Sequence, residues 1–164
     1  MKNRSNLNRF SLASLLLLGV VSTQASADRE APHPFAIIIN PKVSVDNLSM
    51  ADLRKVWMGD RPTWSSGQRI GIYIRSKGSP EFDVLLKRVY QMTEGQYRQF
   101  WIAKVFRSEA ASDPKIVNSN QSAADIVGRS TGAISCVDAQ NVPKGVKVLK
   151  IDGHNPTEKG YPLE

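Results

Sequence analysis

The sequence predicts an α/β fold, a single domain in which a small mixed sheet is flanked by helices. Short apolar runs rich in β-branched residues, such as FAIIIN at 35–40 and GAISCVDA at 132–139, supply the strands. Between them lie segments whose apolar residues recur at helical spacing behind a capping residue. Strands alternating with helices argue for a central sheet with helices packed on it. No internal repeat or low-complexity tract divides the chain, and its length suits one domain.

The chain opens on a leader pattern. Lys2, Arg4 and Arg9 form a basic stretch, the apolar run FSLASLLLLGVV fills 10–21, and Ala25-Ser26-Ala27 places small residues before Asp28. This predicts a cleaved secretory signal peptide over 1–27 and a periplasmic location, the run being too short to span a bilayer. No cysteine stands at the cleavage site, so a lipid anchor is not indicated; an uncleaved N-terminal anchor is the competing reading. Residues 28–152 then form the folded domain and 153–164 a tail.

Within the domain, 35–40 reads as a buried strand stopped by Pro41. Ser49 is placed to cap a helix through MADLRKVWMG, with Asp52 three positions on as a shorter stand-in for the capping-box glutamate. Leu53, Val56 and Trp57 share a face of it, and Gly59 ends it. The turn-rich DRPTWSSGQ that follows is a loop, with Trp64 a candidate for a contact surface. Ile70, Ile72 and Ile74 alternate as in a half-buried strand. Residues 79–92 follow as a helix striped by Phe82, Leu85, Leu86, Val89 and Tyr90. EGQYRQFWIAKVF forms another, with Tyr97, Phe100, Trp101 and Val105 on a core-facing seam. Residues 107–118 read as a long polar loop, and NQSAADIVGRS as a short helix capped near Asn120 or Ser122. GAISCVDA and GVKVLKI at 145–151 are strands, and the aperiodic tail is expected to be mobile.

Charge narrows the partners. The formal net charge of +7 falls to +4 without the leader, since Lys2, Arg4 and Arg9 leave and no acid does. The remaining basic residues are interleaved with acids, as on a solvated surface, so no nucleic-acid partner is expected. Cys136 is the only cysteine and cannot form an intramolecular disulfide; inside an apolar strand it should be buried and inert. His33 and His154 lie near the two ends of residues 28–164 without a second ligand at metal spacing, and neither a metal nor a cofactor is expected. No nucleophile with a neighbouring base and no glycine-rich nucleotide loop can be named, so the chain does not read as an enzyme.

Three blocks carry a resemblance. LSMADLRKVWMGDRPTW at 48–64 resembles the segment of phosphate-binding proteins of ABC importers in which a Leu-Ser/Thr start leads through a helix to a Gly and then a Trp. RSKGSP at 75–80 is similar to that family's Arg-x-x-Gly-Ser-Gly-Thr phosphate loop, and STGAISCVDA at 130–139 to its Gly-Ala-Ile-Gly-Tyr-Val strand. The blocks fall in the family's order and cover most of 48–139. The resemblance implies one lobe of a type II periplasmic binding protein, with phosphate or a similar oxyanion bound by Arg75, Ser76, Gly78 and Ser79. It also implies an inner-membrane ABC permease, or another envelope protein, as partner.

Two departures qualify what the resemblance implies. Full-length members hold the anion between two lobes, and residues 28–164 provide only one, unless two chains meet as a homodimer to rebuild a cleft. The stretch 28–35 has no room for the family's first strand, Ser/Thr loop and helix. The family's acidic residue that accepts a hydrogen bond from protonated phosphate also has no identifiable counterpart. Pro80-Glu81 also stand where the family has Gly-Thr.

The 75–81 loop has a physical reading of its own. A helix start leaves N–H groups without intrahelical partners and carries partial positive charge, so an anion there is stabilised twice. Arg75 could add a charge-assisted pair, Gly78 a close approach of backbone, and the Ser76 and Ser79 hydroxyls could donate. Equally, Ser79 as N-cap, Pro80 at the first helical position and Glu81 after it make a sound helix start with no ligand. Two functions stay open: an exported oxyanion-binding protein, and a single-lobe periplasmic interaction module whose ligand site has decayed.

Overall fold

A computed structural model describes residues 34–164, in which a mixed sheet is sandwiched between two helical layers. The leader pattern over 1–27, and His33, lie outside the described residues. The strands are β1 (Phe35–Ile39), β2 (Asn47–Leu48), β3 (Gly71–Arg75), β4 (Lys115–Val117), β5 (Ala133–Asp138), β6 (Lys147–Val148) and β7 (Lys150–Ile151). The main sheet runs β4-β3-β5-β1-β6, and β2 pairs with β7 in a separate two-stranded ribbon. β3 is parallel to β4 and β5, whereas β1 is antiparallel to β5 and β6, with Ile37 opposite Cys136 and Ile39 opposite Ile134.

The two-residue alternation of β1 and β5 divides the core. Ile37, Ile39, Ile134 and Cys136 face one layer, while Ala36, Ile38, Ala133 and Val137 face the other. The first layer holds α1 (Met50–Trp57), α2 (Pro80–Val84) and the π-helical turns that continue it over Leu85–Tyr90. The second holds α4 (Asn120–Arg129), whose Ala123, Ala124 and Val127 lie against the sheet. Because both faces are covered, the central strands read as unbroken apolar runs in the sequence.

Several expectations hold at the level of single residues. Ser49 caps α1, accepting from the Asp52 N–H at 3.0 Å, and the Asp52 carboxylate accepts in turn from the Ser49 hydroxyl at 2.9 Å. That hydroxyl, with Lys55 nearby, holds the Asp52 carboxyl below the usual carboxylate range. The helix α3 (Glu94–Phe106) has the expected bounds and opens on a capping box between Thr93 and Gln96. Phe82, Leu85, Leu86, Val89 and Tyr90 are all buried as one stripe. The switch to i→i+5 bonding after Val84 keeps pairs four residues apart, Leu85 with Val89 and Leu86 with Tyr90, on the same inner face. Gln91, in the left-handed region at φ 54°, ends it, and Arg54 donates to the Tyr90 carbonyl at 3.0 Å.

Other expectations are corrected. The stretch 107–118 is not all loop: Lys115–Val117 form β4, the edge strand, paired among the described residues only with β3. The 145–151 strand is two, because the chain leaves the main sheet after Val148 and joins β2 at Lys150. Trp64 does not form a contact surface; it is 2% exposed and donates through Nε1 to the Gly132 carbonyl at 2.9 Å. Gly132 is fixed by the same crossing, with φ +88° and the Arg69 carbonyl only 2.3 Å from where a Cβ would stand. Val105 leaves its seam and is exposed, while Lys104 is buried in its stead. Where a loose tail is expected, Tyr161 and Leu163 pack into the core beside β1.

Candidate functional site

The structure sets Arg75, Ser76, Gly78 and Ser79 on one short connection between the end of β3 and the start of α2. Arg75 is the last residue of β3, opposite Val117 of β4, and the Ser76 N–H donates to the Val117 carbonyl at 3.2 Å. The Ser79 N–H turns back to the Ser76 carbonyl at 3.2 Å. Gly78, at φ +77°, makes that turn with nothing within 4 Å of its Cβ position, so the backbone there is open to approach.

Ser79 is the N-cap of α2, its hydroxyl accepting from the Phe82 N–H at 3.2 Å, and Pro80 follows at the head of the helix. Lys77 pairs with Glu94 at the start of α3 and ties the loop down, and this contact lowers the Glu94 carboxyl. Behind the loop lies an aromatic cluster. Tyr97 meets Phe82 and Tyr90 edge-on, at ring separations of 5.5 Å and 4.8 Å, and Tyr90 donates to the Trp57 carbonyl at 2.8 Å.

Glu81 does not point to solvent. Its carboxylate turns inward, 3.5 Å from Arg75 Nε, and the two side chains are 6% and 14% exposed. Arg75 Nε and Nη1 and Glu81 Oε2 are buried, and none has a hydrogen-bond partner among the described residues. The pair therefore has Coulomb attraction without aligned hydrogen bonds. On its inner side Glu81 faces β5, where its charge adds to burial in pushing the Cys136 thiol up. Nothing in the sequence distinguishes this glutamate from an ordinary first-turn acid, except an arginine six positions earlier.

On its outer side Arg75 reaches the inner end of a groove of about 530 Å³ between α3 and the β3–β4 edge. A second cleft of about 500 Å³ lies at the other end of β3, with Arg61, Arg69 and Lys115 among its lining residues. Lys104, buried on the far side of α3, donates to the Met58 carbonyl at 2.7 Å, pairs with Asp60, and lies 5.2 Å from the Phe100 ring centre. It holds α3 to the end of α1. Among the described residues no group of three or more His, Cys, Asp or Glu could share a metal ion, and no helix is long and apolar enough to cross a membrane.

No family model matches the chain. Solved structures do. A phosphate ABC transporter substrate-binding protein of Clostridium perfringens, crystallised with bound phosphate, superposes with a TM-score of 0.61 at 18% identity, covering 76% of this chain and 47% of that one. An ABC-type phosphate transport receptor of Vibrio cholerae gives 0.61 at 21% identity, covering 76% of this chain and 48% of that one. PstS of Borrelia burgdorferi gives 0.63 at 15% identity, covering 80% and 54%. The chain has the fold of a phosphate-receptor lobe. The likeness is one of fold, and the chain spans about half the length of the structures it matches.

Proposed function

We propose that this chain is an exported, non-enzymatic solute-binding lobe that takes phosphate or a similar oxyanion at the 75–79 loop, weakly, against an internal competitor. One observation carries the reading. Arg75 holds buried donors with no hydrogen bond at the very loop where a strand end, an open glycine and a helix start converge. The matched Clostridium perfringens structure, which has phosphate bound, supports the ligand class. On this reading its partner is an inner-membrane ABC permease or another envelope protein, in keeping with matched structures named for ABC-type phosphate transport.

Glu81 sets the affinity. Its carboxylate already neutralises Arg75, so an incoming anion must displace it and bear the repulsion of a nearby negative charge. A single lobe leaves water close to the ligand and brings fewer donors onto it than a closed cleft does.

A specific observation also favours a second reading, the envelope interaction module: the position an anion would take against Arg75 is filled by the chain's own carboxylate. Titration calorimetry with inorganic phosphate separates the two. The solute-binding reading expects weak heat that disappears in Arg75→Ala and strengthens by about 10-fold, roughly 1.4 kcal/mol, in Glu81→Thr. Folded wild-type and Glu81→Thr samples that both give no heat at millimolar phosphate would leave the interaction module standing.

A further inference from the structure

We infer that the groove beside Arg75 is the seat of a second copy of this chain, each copy inserting Phe106 into the other's groove. The floor is apolar: Ile74 and Ile116 are neighbours across β3 and β4, and Ile102 and Val105 of α3 line the wall. Phe106, at the groove's rim, is 88% exposed, Ile116 64% and Ile102 57%, so a knob and the hole that would receive it lie on one face. Exposed large apolar side chains gathered this closely are a mark of an interaction surface. β4 is the edge of the sheet, so among the described residues no further strand shields the groove's outer side.

Charge selects the occupant. Lys77 and Glu94 satisfy each other, and Arg75 faces Glu81. That leaves Arg98, on α3, and Asp113, on the opposite wall before β4, both lining the groove and neither in an ion pair among the described residues. A two-fold interface must be self-complementary: if residue i meets j, then j meets i. One unpaired cation and one unpaired anion flanking one apolar floor satisfy that rule. The Arg98 of each copy faces the Asp113 of the other, while the two Phe106 rings exchange. An uncharged hydrophobic molecule would use the floor but would leave both of these charges unmatched.

The inference is independent of the anion reading, although a docked copy would cover the outer side of Arg75. Its test is the mass of the protein as recovered from cells, by light scattering and sedimentation equilibrium at micromolar concentration. A dimer is expected, and Phe106→Ser weakens it by at least about 10-fold. Arg98→Asp and Asp113→Arg each weaken it, and the two together restore it, a reversal that no unrelated association would reproduce. All these side chains are exposed, so circular dichroism should show each variant folded. A monomer at about 100 μM, weaker than interfaces of standard size give, overturns the inference. So does a dimer indifferent to Phe106→Ser, or singly weakened variants that the double change fails to rescue.

Discussion

Glu81 Oε2 stands 3.5 Å from Arg75 Nε, and neither atom has a hydrogen-bond partner among the described residues. Removing two charges from water costs several kcal/mol each, and attraction without aligned hydrogen bonds returns little of it. The pair is therefore a poor source of stability and a strong source of mutual dependence. Glu81→Gln or Arg75→Met alone strands the other charge and should cost about 3–5 kcal/mol in urea denaturation. Arg75→Met combined with Glu81→Leu should recover most of that loss. Single changes costing less than about 1 kcal/mol would show that water reaches the pair and screens it.

That pair also marks where the sequence stops being legible. The strands β1 and β5 and the helices α1 and α3 follow from local pattern, because covered strands read as apolar runs and caps are written in adjacent residues. Ser79 was likewise readable as a cap, and Gly78 as a point of close backbone approach. Glu81 was not, since a first-turn acid usually faces water, and only the inward path of β3 and α2 together brings it onto Arg75. Lys104 and Trp64 escape local reading for the same reason. Their burial is set by partners far along the chain, the Met58 carbonyl and the Gly132 carbonyl, not by neighbours. β4 is three residues of an otherwise polar stretch and becomes a strand only because β3 offers it an edge.

Alkaline titration should expose how dry the core is. Burial is the first cause pushing the phenols of Tyr90, Tyr97 and Tyr161 up from the ordinary 10.0, and the Cys136 thiol up from 9.0. In the unfolded chain these groups titrate at their ordinary values, so above about pH 9 the unfolded state holds fewer protons than the native one. Stability then falls as pH rises, with the slope steepening once the phenols join the thiol. Phenolate absorbance should show Tyr90, Tyr97 and Tyr161 silent near pH 10 and then appearing together with loss of secondary structure. Smooth ionisation of these three in a still-folded protein would contradict the burial described here.

The C-terminal segment supplies the remaining prediction, because its composition gives no hint of its role. GHNPTEKGYPLE is polar and aperiodic, yet Tyr161 and Leu163 are 1% and 0% exposed, and the Phe35 N–H donates to the Leu163 carbonyl at 2.9 Å. Arg88, at the outer face of the π-helical turns, donates to the Glu164 carbonyl at 2.5 Å. The segment thus spans from the start of β1 to the helical layer that carries the candidate loop, and two apolar side chains act as its anchors. Leu163→Ala removes one anchor and leaves a cavity, so it should cost about 2–5 kcal/mol. Lys159→Ala, exposed a few residues earlier, should stay within about 0.5 kcal/mol. If the two substitutions prove equally mild in chemical denaturation, the tail is not held in the core. The helical layer above Glu81 would then be supported from one side only, and the loop carrying Arg75 would open more readily than its burial implies.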